Sequence, residues 1–151
     1  MSYGEAAQGV LTRVFEEMAM LFAEPADPAG ATPPVGEVLE AKIRFQGAQR
    51  GELTIFVPTE TVVEFAANTL GVDAGDIDDQ EAVFDAAKEL ANVAAGQLLP
   101  EIAGVEQVFE LTPPSARCID AGEWAAFAAR AGVAALLVED AAVLIGVEVI
   151  A

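Results

Sequence analysis

The chain is 151 residues long, 54% hydrophobic and 21% charged, a balance that supports a buried core and excludes disorder over most of the length. Seven Lys and Arg against 25 Asp and Glu leave a net charge of -18, which excludes nucleic acid and anionic membrane as natural partners, because phosphate binding relies on clustered cations. With no histidine and one cysteine, a single chain cannot build a Ser-His-Asp or Cys-His site or the usual zinc ligand sets, so any catalysis must use carboxylates, amides, lysine or a borrowed metal.

Residues 5–23 carry Val10, Val14, Met18, Leu21 and Phe22 at helical spacing, without the basic and continuously apolar regions of a signal peptide. The helix should stop before EPADPAGATPP, where four prolines and a glycine make residues 24–34 a connector. From Val35 to Phe45 the period becomes two, Leu39, Ala41, Ile43 and Phe45 alternating with Val38, Glu40, Lys42 and Arg44. ELTIFVP repeats the alternation after QGAQRG, so two antiparallel strands are expected. Thr59 to Leu70 reads as a helix with Thr59 as its N-cap and Gly71 as its stop.

The acidic loop VDAGDIDD that follows lacks the spacing and closing glutamate of an EF-hand, and it reads as the solvated start of the next helix. That helix, EAVFDAAKELANVAAGQ, is rich in alanine but holds one interior Asn, a poor helix residue because its side chain competes for backbone hydrogen bonds. At about 100° per residue, Val83, Ala87, Leu90, Ala94 and Leu98 gather on one side, and Asp85, Glu89, Asn92 and Gly96 on the other.

Glu106 to Thr112 alternates again, with Phe109 and Leu111 on one face, until Pro113-Pro114 ends it. In ARCID, Cys118 has no partner for a disulfide within the chain and reads as a buried, inert thiol. GEWAAFAARA is open between a short helix and a loop, with Trp124 and Phe127 packed down. VAALLV and AVLIGVEVI bracket Glu139-Asp140 as a terminal hairpin, Val143, Ile145, Val147 and Val149 sharing a face. The order predicts one domain over residues 1–151 with an α+β fold, an antiparallel sheet covered by helices. No uncharged apolar run approaches the roughly 18 residues of a membrane span, so a cytoplasmic protein is expected.

On a helix, residues i and i+3 are neighbours, so the Glu89 carboxylate and the Asn92 amide can engage one small target together, while Gly96 lets a foreign backbone come close. The plainer reading is a hydrated Glu89, an Asn92 bonded to the carbonyl four residues back and a Gly96 that only packs. Glu64 and Asn68, spaced i to i+4 on the preceding helix, read as ordinary surface.

The run Asp85-x-x-x-Glu89-x-x-Asn92 resembles the signature of the CheC/CheX/FliY family of chemotaxis phosphatases: Asp or Ser, three residues, Glu, two residues, Asn, then 22 residues and Pro. Here 21 residues separate Asn92 from Pro114, one fewer than the family pattern. GELTIFVP, the helix ending at Leu70-Gly71 and ELANVAAGQLL are similar to a CheX-type domain, and the single motif fits CheX rather than the two-motif CheC. The resemblance implies a phosphatase acting on the phosphoaspartate of a CheY-like response regulator. Asn92 would orient the attacking water, Glu89 would pair with the regulator's active-site lysine, and Asp85, Lys88 and Gly96 would lie at the partner interface. It also implies a homodimer formed through the sheet, for which the edges of the terminal hairpin are the expected place, and no cofactor on this chain, the Mg²⁺ belonging to the regulator. The alternatives are an adaptor of the same fold that docks on a regulator or motor component without hydrolysis, and a small-molecule binding domain, which would need an apolar cavity.

Overall fold

The computed structural model describes residues 3–150, so the expected domain's residues 1, 2 and 151 lie outside the described residues. Four α-helices, α1 (Tyr3–Arg13), α2 (Thr59–Leu70), α3 (Gln80–Ala103) and α4 (Ala121–Ala128), surround strands β1 (Ala23–Ala26), β2 (Val38–Gln46), β3 (Gly51–Pro58), β4 (Glu110–Leu111), β5 (Ser115–Ile119), β6 (Val133–Val138) and β7 (Ala141–Val149). The strands form one seven-stranded sheet in the order β1-β6-β7-β3-β2, with β4 and β5 both on the outer side of β2. Every pairing is antiparallel, as the alternating patterns require of an α+β fold.

Alternation decides which side chains each face receives. Leu39, Ala41 and Ile43 of β2, Leu53, Ile55 and Val57 of β3, and Val143 and Ile145 of β7 enter the main core beneath α1, α2 and α3. On the opposite face Val38, Phe56, Ala135 and Leu144 pack under α4, where Phe56 stacks on Phe127 with ring centroids 4.3 Å apart. Beyond α4 that face carries an ion-pair network. Arg117 bonds Glu40 at 3.1 and 3.2 Å and both oxygens of Glu123 at 3.1 Å, and Lys42 and Arg44 flank Glu52.

Several expectations are corrected. The first helix does not continue to residue 23: α1 gives way to a π-helical turn, Val14–Met18, whose wider turn shifts the apolar register. Ala19 and Leu21 are therefore buried, while Met18 and Phe22 face solvent. Part of the connector is a strand, because β1 is a sheet edge, where Pro25 can point its missing N–H outward. The N-cap of α2 is Pro58; the Thr59 hydroxyl donates to Glu37 at 2.9 Å and leaves the helix end uncapped. Gly71 does close α2, in the left-handed conformation with φ 71°.

The strand expected over Glu106–Thr112 shrinks to Glu110–Leu111, with Phe109 edge-on to Phe45 at 5.8 Å. Residues 121–128 are helical, started by a capping box in which Asp120 and Glu123 each bond the other's backbone N–H. The terminal hairpin turns through Glu139 and Asp140, both at positive φ as a two-residue turn demands. Its edges are not free: β6 pairs with β1 and β7 with β3, which removes the expected place for sheet pairing between copies.

Candidate functional site

The helix that carries the motif is 24 residues long, about 36 Å. Its start is fixed by Asp79, whose carboxylate accepts from the Glu81 N–H at 2.8 Å, so the acidic loop ends as a helix cap. Val83, Ala87, Leu90, Ala91, Ala94, Ala95 and Leu98 are buried against the sheet, α1 and α2. This anchoring fixes the rotation of the helix, and it leaves Asp85, Glu89, Asn92 and Gly96 exposed as one stripe with Lys88 half-buried beside it. The five residues singled out in the sequence thus share one helix surface.

Among the described residues, the side chains of Asp85, Glu89 and Asn92 make no hydrogen bond or ion pair. Asn92 does not fold back on the carbonyl four residues earlier, although Thr12 and Thr69 do, bonding Gln8 O at 2.8 Å and Phe65 O at 2.9 Å. Its amide is therefore available to an outside group. One turn on, Gly96 is open: an added Cβ meets nothing within 4 Å. Pro100, four residues further, lacks the N–H that would bond the Gly96 carbonyl.

The second polar pair behaves otherwise. Asn68 donates to the Ala19 carbonyl at 2.7 Å, closing the end of the π-helical turn. The Glu64 carboxyl is pushed above its usual range by desolvation and then by Glu139 and Glu60. Cys118 is exposed, contrary to the sequence expectation, because β5 is an edge strand; the Gln80 amide donates to its thiol at 3.9 Å. Partial desolvation and then the Glu37 carboxylate push its pKa up. Among the described residues no three acidic or thiol side chains converge to hold a metal, and no helix is long and apolar enough to cross a membrane.

Sequence reasoning missed an apolar groove of about 320 Å³ between α2 and α3, directly beside Glu89. It is lined by Ala66, Ala82 and Ala86, whose small side chains open a space that periodicity does not reveal. A larger open cleft of about 620 Å³ lies between the connector and α4, on the far face of the sheet from Asn92.

Residues 39–128, more than half of the chain and a span that includes α3, match the family described as chemotaxis phosphatase CheX. The chain belongs to this family. CheX-like structures repeat the fold. A CheX from Desulfovibrio desulfuricans matches with a TM-score of 0.69 at 15% identity, over 98% of this chain and 99% of that one. CheX from Vibrio vulnificus matches at 0.69 and 18%, over 99% and 97%. The CheX chain of a CheX-CheY-BeF3-Mg²⁺ complex from Borrelia burgdorferi matches at 0.66 and 17%, over 99% and 98%. Among curated proteins none matches the chain in sequence.

Proposed function

We propose that this CheX-family protein accelerates hydrolysis of the phosphoaspartate of a CheY-like response regulator, with Asn92 and Glu89 as the working residues. The observation that carries the reading is the exposed, unengaged pair itself, one turn apart on a helix whose other side is locked into the core. Their Cβ atoms lie about 5–6 Å apart, so both reach one active site when the stripe is laid beside it.

Hydrolysis needs a water attacking phosphorus in line with the aspartyl oxygen. The P–O bond to that oxygen breaks, giving back the free carboxylate and inorganic phosphate. An amide is too weak a base to take the water's proton, so Asn92 acts by holding the water through its carbonyl oxygen and N–H₂ group. Glu89 supplies a carboxylate for the regulator's lysine, which fixes the helix in register. Charge developing on the phosphoryl oxygens is met by the regulator's own Mg²⁺ and lysine. Asp85, Lys88 and Gly96 complete the contact surface. The Borrelia complex, in which a CheX is bound to CheY with a phosphoryl mimic and Mg²⁺, supports this partner class.

For the homodimer that the resemblance implies, the outer side of β5 offers unpaired backbone groups.

The test is phosphate release from the host's response regulators, phosphorylated in advance, with and without the protein. Asn92→Ala should lower the accelerated rate by about two to three orders of magnitude, as loss of one positioning group does. Glu89→Lys should weaken binding. Full acceleration by Asn92→Ala would refute the catalytic reading in favour of a non-catalytic adaptor.

A further inference from the structure

The groove between α2 and α3 extends away from the phosphatase motif yet shares two of its residues, Asp85 and Glu89. Phe65 and Ala66, both buried, form its floor. Leu70, Asp85 and Glu89 stand exposed around it, and Ala86 lines the α3 wall. Leu70 is 68% exposed, an unusual place for a large aliphatic side chain, and Val72 just beyond it is 42% exposed. Apolar surface that is open, concave and edged by charge is the mark of an interaction site rather than of ordinary surface.

We infer that this groove receives an apolar side chain of the phosphorylated regulator, presented beside a lysine or arginine that pairs with Asp85. The inference rests on the proposed function, because the regulator is what brings a protein surface onto Glu89. Continuity argues for it: a partner that places its active-site lysine on Glu89 already lies over the mouth of the groove, since Glu89 is one of its walls. Charge argues for it as well. Two carboxylates and no cation line the groove, and the loop leading into α3 adds Asp73, Asp76, Asp78 and Asp79. An occupant that is apolar at its tip and basic at its flank satisfies both surfaces. A second copy of this chain, carrying the same acidic surroundings and a net charge of -18, would be repelled.

The division of labour follows. The groove supplies affinity and selects among regulators, while Asn92 supplies rate. Regulators sharing the same phosphorylation chemistry are then told apart by whether an apolar residue with a basic neighbour stands where the groove meets them.

The test uses the intact protein and the regulator that answers in the phosphate-release assay, loaded with beryllofluoride and Mg²⁺ for binding and phosphorylated for kinetics. Leu70→Asp places a charge at the mouth without touching the core. It should raise Kd and KM tenfold or more and leave kcat within twofold. Ala86→Leu, which fills the groove, should act the same way, and Asp85→Lys should raise Kd by a similar factor. Asn92→Ala is the counter-case, lowering kcat at near-constant Kd. If Leu70→Asp and Ala86→Leu leave Kd and KM within twofold while Asn92→Ala removes the acceleration, the groove is not a docking site and the catalytic reading stands. A fall in kcat at unchanged KM for Leu70→Asp overturns the groove equally. If no regulator binds or responds to the wild-type protein, both readings fall together.

Discussion

Replacing Gly96 with alanine should make the protein more stable and less effective on its partner. Glycine in a helix interior costs about 0.5–1 kcal/mol relative to alanine, through backbone entropy and exposure of the peptide to water. Gly96 sits well inside a 24-residue helix, and a Cβ added there meets nothing within 4 Å, so no clash offsets that gain. The full propensity difference should therefore appear, raising Tm by about 1–4 °C in a chain of this size. The same methyl group projects from the stripe that Glu89 and Asn92 occupy. If a regulator's backbone approaches the helix at Gly96, the intruding carbon costs about 1–3 kcal/mol at the contact, which is roughly fivefold to more than a hundredfold in Kd. Thermal unfolding followed by circular dichroism measures the first effect, and titration with the beryllofluoride-loaded regulator the second. Opposite signs in the two measurements are expected. A higher Tm with unchanged Kd would refute the role of Gly96 in partner approach, and a lower Tm would refute the account of the helix itself.

Removing Arg117 tests the far face of the sheet. The Glu40 side chain is only 8% exposed and holds two bonds from Arg117, so Arg117→Ala leaves it with Lys42 at 3.8 Å. The loss should be about 1–3 kcal/mol, read as a lower Tm, with phosphatase rate per folded molecule unchanged. An unchanged Tm would mean that Lys42 and water suffice. Glu64→Gln tests the raised carboxyl. Because the folded protein holds the Glu64 proton more tightly than the unfolded chain, the carboxyl disfavours folding as pH rises past its ordinary value of 4.5. The variant should be more stable than wild type at neutral pH and equal to it below that value, as unfolding at several pH values will show; an equal gain at all pH values would exclude the titration as its cause.

The parts legible in the sequence are those where one period dominates. In β2 and β3 alternation names the buried residues, and in α3 the 3.6-residue period places Asn92 outside and Leu90 inside, because both segments lie flat against a single core. Failures occur where a local device overrides the period. The π-helical turn at Val14–Met18 inserts extra arc and sends Phe22 outward, and Pro25 disguises a strand that only an edge position permits. Ser115–Ile119 is short, follows two prolines and buries neither face fully, so Cys118 was misplaced with it. At the site, the stripe was legible because all its members share one helix. The groove was not, since it arises from how α2 leans on α3, and side chains from two helices define it only after folding.

The place of β7 carries a consequence for how the molecule comes into being. It is the last of the described strands and pairs on both sides, with β3 and with β6, near the middle of the sheet. Until residues 141–149 have left the ribosome, β3 has an open edge facing where β7 will lie, and the β2–β3 side of the sheet cannot join the β1–β6 side. Zippering from the N-terminus is thus impossible, and the nascent chain must wait with apolar strand edges uncovered, a period in which chaperone binding or aggregation competes with folding.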